Sequence, residues 1–221
     1  MRGALLIALL AAVARADAPQ AYRLVQGAAG PGISVSLHYT FGTHEVRALR
    51  ATGEVRFDPD APESMRGSLR VPIDDLKSDN AERDCHMREA LGLDYARSPF
   101  PKEHVCAGNA IAPGMVAYPE IALEVRGARS PPVATLSVGK ETPVSIDATW
   151  SLHGVSRPAR LALTVSRDAK TPGALRIHGS AQIRLQDFGV VVKSATIVFV
   201  TSSVDETATV QFDLTLAPAR G

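Results

Sequence analysis

Several common functions are excluded by what this sequence lacks. Aromatic residues make up only 5% of it, with a single tryptophan, which tells against a sugar-binding cleft. No charge of one sign dominates: 24 Lys and Arg stand against 23 Asp and Glu, for a net charge of +1. Without a long basic run there is no electrostatic footprint for nucleic acid. The motifs G-x-S-x-G, H-E-x-x-H and G-x-x-x-x-G-K-[ST] are all missing, so nothing points to hydrolytic or phosphate chemistry, and the chain is read as a non-enzyme. His153, in "LHGVSRP", sits at the end of an alternating strand and reads as a turn histidine. There are two cysteines and no C-x-x-C pair, which gives little support to a redox-active thiol. No apolar run reaches the length needed to span a bilayer.

The apolar run that does exist lies at the start. "MRGALLIALLAAVARADAPQ" has Arg2, an apolar stretch from Ala4 to Val13 and a small-x-small site at Ala14-Arg15-Ala16. That is the pattern of a cleavable signal peptide over residues 1–16, leaving 17–221 as one exported, periplasmic domain. No cysteine follows the run to carry a lipid anchor. In an oxidising compartment an even cysteine count reads first as a disulfide. Cys85 and Cys106 are twenty-one positions apart, and closing that loop would contribute roughly 3 kcal/mol in the chain-entropy model.

A composition of 45% hydrophobic residues suits a domain with a real core. Most of the chain alternates with period two. Val144, Ile146, Ala148, Trp150 and Leu152 share one face of a run, as do Leu175, Ile177, Gly179, Ala181, Ile183 and Leu185 of another. The same holds for Ile33/Val35/Leu37/Tyr39, Val55/Phe57, Leu69/Val71/Ile73, Leu161/Leu163/Val165 and Ala208/Val210/Phe212/Leu214/Leu216. Such alternation marks strands buried on one face and wet on the other. Turn signals such as "DPDAPES", "GKETP" and "AKTPG" separate the runs, and several runs are long. The spacing favours antiparallel hairpins, and a closed barrel fits, since closure removes exposed edges. Small residues on the inner face (Gly179, Ala181, Ala208) mean tight corners or room for a ligand.

One stretch, "SDNAERDCHMREALG", breaks the rhythm. Asp79-Asn80-Ala81-Glu82 resembles a capping box, Met87 and Leu91 fall on one face, and Gly92 supplies a stop, so a short helix is expected near 80–91. Cys85, His86 and Met87, with His104 and Cys106 downstream, are soft or imidazole ligand types. Adjacent helical positions diverge by about 100°, however, so those three cannot converge on one ion. A disulfide would also remove both thiolates. The metal- or redox-linked reading therefore rests on His86, Met87 and His104. A third reading is an interaction module with no small ligand.

The order of motifs resembles the YceI-like family of bacterial exported proteins. "LRATGEVRFDP" is similar to its first hairpin and "SDNAERDCHM" to its Arg-Asp-x-His/Met helix start. "AYPEIALEV" is similar to its Tyr-Pro-x-Ile strand, "WSLHGVSRPARLAL" to its His-Gly-Val-x-Arg-Pro hairpin, and "IRLQDFGV" to its Asp-Phe-Gly segment. Together these span roughly 22–216. The resemblance implies an antiparallel up-and-down, lipocalin-like barrel of about eight strands holding an isoprenoid- or quinone-like amphiphilic lipid, with no chemistry; no metal and no cofactor beyond that lipid are expected. The inner-face residues Val55, Phe57, Leu69, Val71, Ile146, Trp150, Leu152, Ile183 and Phe212 are the expected lining. Arg83 and Asp84 either hold a polar head near the mouth or are structural, Asp84 at the helix N-terminus and Arg83 paired with a carboxylate. A homodimer is left open. The chain departs from the family pattern in an inserted loop near 92–117, which carries Cys106 and can cover the barrel mouth.

Overall fold

The computed structural model describes residues 20–58, 62–97, 116–129, 136–192, 195–197 and 200–219, the last two short strands before 203 by their backbone alone. The leader 1–16, His104, Cys106 and positions 98–115 of the inserted loop lie outside the described residues.

Thirteen strands are present among the described residues, and eleven of them make eight staves. β1 (Gln20–Leu24) and β2 (Ile33–Tyr39) form one interrupted stave. Both lie antiparallel to β13 (Val204–Pro218), with Leu24 opposite Leu216 and Ile33 opposite Phe212. β3 (Gly42–Ala48) and β4 (Thr52–Phe57) form the second, pairing with β2 and β1 in turn. β5 (Arg66–Pro72) and β6 (Leu76–Lys77) form the third, interrupted by a 3-10 turn at Ile73–Asp75. β7 (Glu120–Arg129), β8 (Thr142–Leu152), β9 (Val155–Arg167) and β10 (Leu175–Arg184) follow as hairpin neighbours. β10 pairs along its length with β13, and β13 returns to β1 and β2. The sheet is a closed eight-strand antiparallel barrel. A small hairpin, β11 (Ala195–Ile197) with β12 (Val200–Ser202), lies outside it.

Burial follows the alternation. Val144, Ile146, Ala148, Trp150 and Leu152 of β8 are all buried, and so are Ala208, Val210, Phe212, Leu214 and Leu216 of β13. Where a stave breaks, a specific residue permits it. Gly32 re-enters the sheet at φ +83°, and a Cβ there would stand 1.9 Å from the carbonyl oxygen of Asp213. Of the two meanings of a small inner-face residue at Gly179, the structure shows the tight corner: a Cβ would meet Leu163 Cδ2 at 2.6 Å. The β9–β10 ladder ends there. A 3-10 turn at Leu185–Phe188 follows β10, and Phe188 and Val190 are buried beside it.

The helix α1 (Ala81–Gly92) stands between β6 and β7 at one end of the barrel. Its start differs by one residue from a capping box on Asp79. Asn80 is the cap, its side chain accepting from the Arg83 amide at 2.9 Å, while Asp79 instead pairs with the Arg83 guanidinium at 2.7 Å. Gly92 is the last helical residue rather than a left-handed stop. It is small because a Cβ there would press on Ile73 Cδ1 at 2.5 Å, and Ile73 is almost fully buried.

Candidate ligand-binding site

Inside the barrel, apolar side chains enclose space. Two cavities lie within it, of about 60 Å³ and about 20 Å³. Val55, Met65, Ile146, Ile177 and Leu216 line both. The larger is completed mid-barrel by Leu24, Leu69, Leu123, Leu161, Leu163 and Phe212, among others, and the smaller towards the end opposite α1 by Phe57, Leu136, Val144, Val165 and Leu175. Apart from Ser68 the lining side chains carry no hydroxyl, amide or charge. A void of this kind has nothing to hold a water molecule and stays dry. It offers contact surface to an apolar chain.

Of the nine expected lining residues, Val55, Phe57, Leu69, Ile146 and Phe212 face the cavities. Val71, Trp150, Leu152 and Ile183 are buried but sit nearer the α1 end and line neither cavity. Trp150 stacks on Phe212, centroids 6.3 Å apart, and so forms the floor beneath the larger cavity. Met65 and Leu136 escaped sequence reading because each belongs to a connection between strands, where no alternation points to them.

The α1 end carries the polar groups. Asp84 is buried, accepts from the Ser78 amide at 2.7 Å and its hydroxyl at 2.8 Å, and lies 3.9 Å from Lys77 Nζ. These contacts tie the helix to the strand before it. His86 stands between Glu82 at 3.7 Å and Glu89 at 3.5 Å along the helix. Met87 is packed against the core. Among the described residues no group of three or more His, Cys, Asp or Glu side chains is placed to hold a metal ion. Cys85 is buried on α1, and its expected partner Cys106 is outside the described residues.

His153 forms the two-residue turn between β8 and β9 with Gly154, both at positive φ (51° and 73°), as in a type I′ hairpin. Its ring is buried rather than exposed. Nε2 lies 2.8 Å from the Leu93 carbonyl oxygen; since that oxygen only accepts, Nε2 carries the proton and donates. Tyr95 and Tyr118 flank the ring at centroid distances of 4.5 and 4.9 Å, and Nδ1 is left buried with no partner. Burial lowers the His153 pKa, with Asp94 opposing more weakly. The imidazole is thus a neutral clasp between the β8–β9 turn and the segment after α1.

Comparison with known proteins agrees with this geometry. The family model for the YceI-like domain matches residues 28–216. A UPF0312 protein of Azotobacter vinelandii is 26% identical over 141 residues, covering 62% of this chain and 59% of that protein. A UPF0312 protein of Pseudomonas savastanoi pv. phaseolicola matches to the same extent. The chain therefore spans about 59% of the length of these relatives. Among solved structures, a polyisoprenoid binding domain from Saccharophagus degradans superposes with a TM-score of 0.55 at 17% identity, covering 92% of this chain and 97% of that one. Burkholderia cenocepacia BcnA superposes with a TM-score of 0.58 at 12% identity, covering 83% and 94%. Similarity at these identities concerns the fold.

Proposed function

The chain belongs to the YceI-like family, and from that premise we propose that it is a periplasmic, non-enzymatic protein that takes an isoprenoid- or quinone-like amphiphilic lipid into its barrel. The observation that carries this reading is the cavity pair: a closed barrel that keeps dry, apolar space against the tendency of cores to pack solid. The fold shared with a polyisoprenoid binding domain supports the choice of ligand class.

Size sets a condition on the mechanism. Ligand sites usually span roughly 300–1,000 Å³, several times the space enclosed here, so uptake requires the lining to move apart. Met65, unbranched and adaptable, lines both cavities and is the side chain best suited to yield. Nothing in the enclosed lining acts on the lipid, so binding and release are the whole cycle.

Export follows from the 1–16 pattern, with the mature chain beginning at Asp17. In that compartment Cys85 pairs with Cys106 and ties the inserted loop to α1. Arg83 and Asp84 serve the helix, since Arg83 is engaged by Asp79 and Asp84 by Ser78, at the end away from the cavities. The test is mass spectrometry of the organic extract of protein purified from periplasm. An isoprenoid-class lipid in near-stoichiometric amount is expected. An empty extract, with no uptake of added geranylgeraniol, would contradict the proposal.

A further inference from the structure

The apolar lining ends at one charged residue. Arg167 closes β9 directly opposite Leu175, and Leu175 lines the smaller cavity, so by register Arg167 belongs to the barrel's inner face. It is half-buried, and its Nε donates to the carbonyl oxygen of Leu136 at 2.9 Å; Leu136 lines the same cavity. Several arginines of the outer wall are matched to carboxylates: Arg70 with Glu120 and Glu124, Arg129 and Arg160 with Asp147, Arg176 with Asp213. Among the described residues no carboxylate stands within ion-pair distance of Arg167. Its sequence neighbour Asp168 is occupied elsewhere, accepting from the amides of Lys170 and Thr171 at 2.7 Å each.

A second polar group shares this rim. Tyr22 lies on the inner face opposite Val55, and its hydroxyl donates to Gln20 Oε1 at 3.0 Å. Burial raises the Tyr22 pKa and the nearby Arg167 charge partly lowers it again, so the phenol stays protonated while sensing the guanidinium. An uncompensated guanidinium bordering a low-dielectric space attracts an anion more strongly than one in water. Its planar fork matches phosphate and carboxylate oxygens.

We propose that Arg167 anchors the ligand's head, so that the barrel selects an anionic single-chain amphiphile whose chain fills the cavity and whose phosphate or carboxylate sits at the end opposite α1. This rests on the lipid-binding reading above.

Trp150, the sole tryptophan, stacks beneath the cavity and supplies the signal. Its fluorescence in the full mature chain is titrated with two matched pairs: geranylgeranyl phosphate with geranylgeraniol, and palmitate with hexadecanol. The anion of at least one pair is expected to bind roughly tenfold or more tightly than its alcohol. The pair showing the preference tells a prenyl phosphate from a fatty acid. In Arg167→Gln that preference should vanish while the alcohol's affinity and the melting temperature hold, and Arg167→Lys should restore part of it. Alcohol bound as tightly as anion by the native protein overturns the anchor and leaves the lipid-binding reading standing. Equal loss of both ligands in the glutamine variant also overturns it. Binding of none of the four overturns both. If Arg167→Gln does not fold, the Nε–H resonance of Arg167 in the native protein decides. It must shift on adding the preferred anion and not its alcohol, and an unmoved resonance defeats the proposal.

Discussion

At the scale of single residues, buried polar groups are the sharpest tests. His153 has a folded-state pKa below its unfolded value of 6.5 because burial disfavours the cation. The unfolded chain then binds the proton first as pH falls. The stabilisation is complete above about pH 6.5 and is lost as pH falls from there towards the folded value. His44, lowered by burial and by Arg83, adds to the same window. Melting temperature should therefore decline between pH 7 and 5. In His153→Asn, which suits a type I′ turn, that decline should flatten; an unchanged slope would show that other groups set it. Asp147 and Asp168, both lowered by hydrogen bonds, act only below about pH 4 and do not confuse the reading. Asp84→Ala strands the Ser78 amide, while the Ser78 hydroxyl keeps Asn80 as a partner, and should cost about 1–3 kcal/mol in denaturant unfolding. Alternation exposed Val55, Phe57, Leu69, Ile146 and Phe212 as cavity residues. It was silent on Met65 and Leu136, which lie outside strands, and on Arg167, whose inward placement comes from its register with Leu175.

At the scale of elements, the helix was legible as a break in period, while its contacts were not. The sequence offers a box on Asp79 with Glu82, whereas in the fold Asn80 caps the Arg83 amide and Asp79 turns to the Arg83 guanidinium. Asn80→Ala should cost about 1 kcal/mol through the lost cap on the Arg83 amide, measured by equilibrium unfolding. Gly92→Ala should cost more, about 1–3 kcal/mol, because Ile73 is packed on every side and cannot retreat from the added methyl. The staves tell the same story in reverse. Period-two runs marked β8, β10 and most of β13, which turn a full face to the core, but only Leu161–Val165 of β9, whose first half is largely exposed. The joins within the first three staves depend on β13 and on Gly32 meeting the Asp213 carbonyl, contacts far apart in sequence.

At the scale of the molecule, closure is what turns eight amphipathic staves into a container. Every stave of the ring has two neighbours, so the inner faces have only one another, or a ligand, to meet. The antiparallel order was readable from the long alternating runs and their turns, whereas the strand count came with the family resemblance. Whether the interior was solid depended on side-chain volumes summed across strands, which no single run reveals. Val55 borders both cavities, so Val55→Leu should raise the melting temperature of the lipid-free protein and weaken lipid uptake together. The most direct test of the barrel as container is intermolecular nuclear Overhauser contact between a bound geranylgeranyl chain and methyl-labelled Ile146, Ile177 and Leu216. The account predicts contacts to all three. Contacts confined to exposed methyls such as those of Val138 or Leu49, with none to the interior, would contradict it.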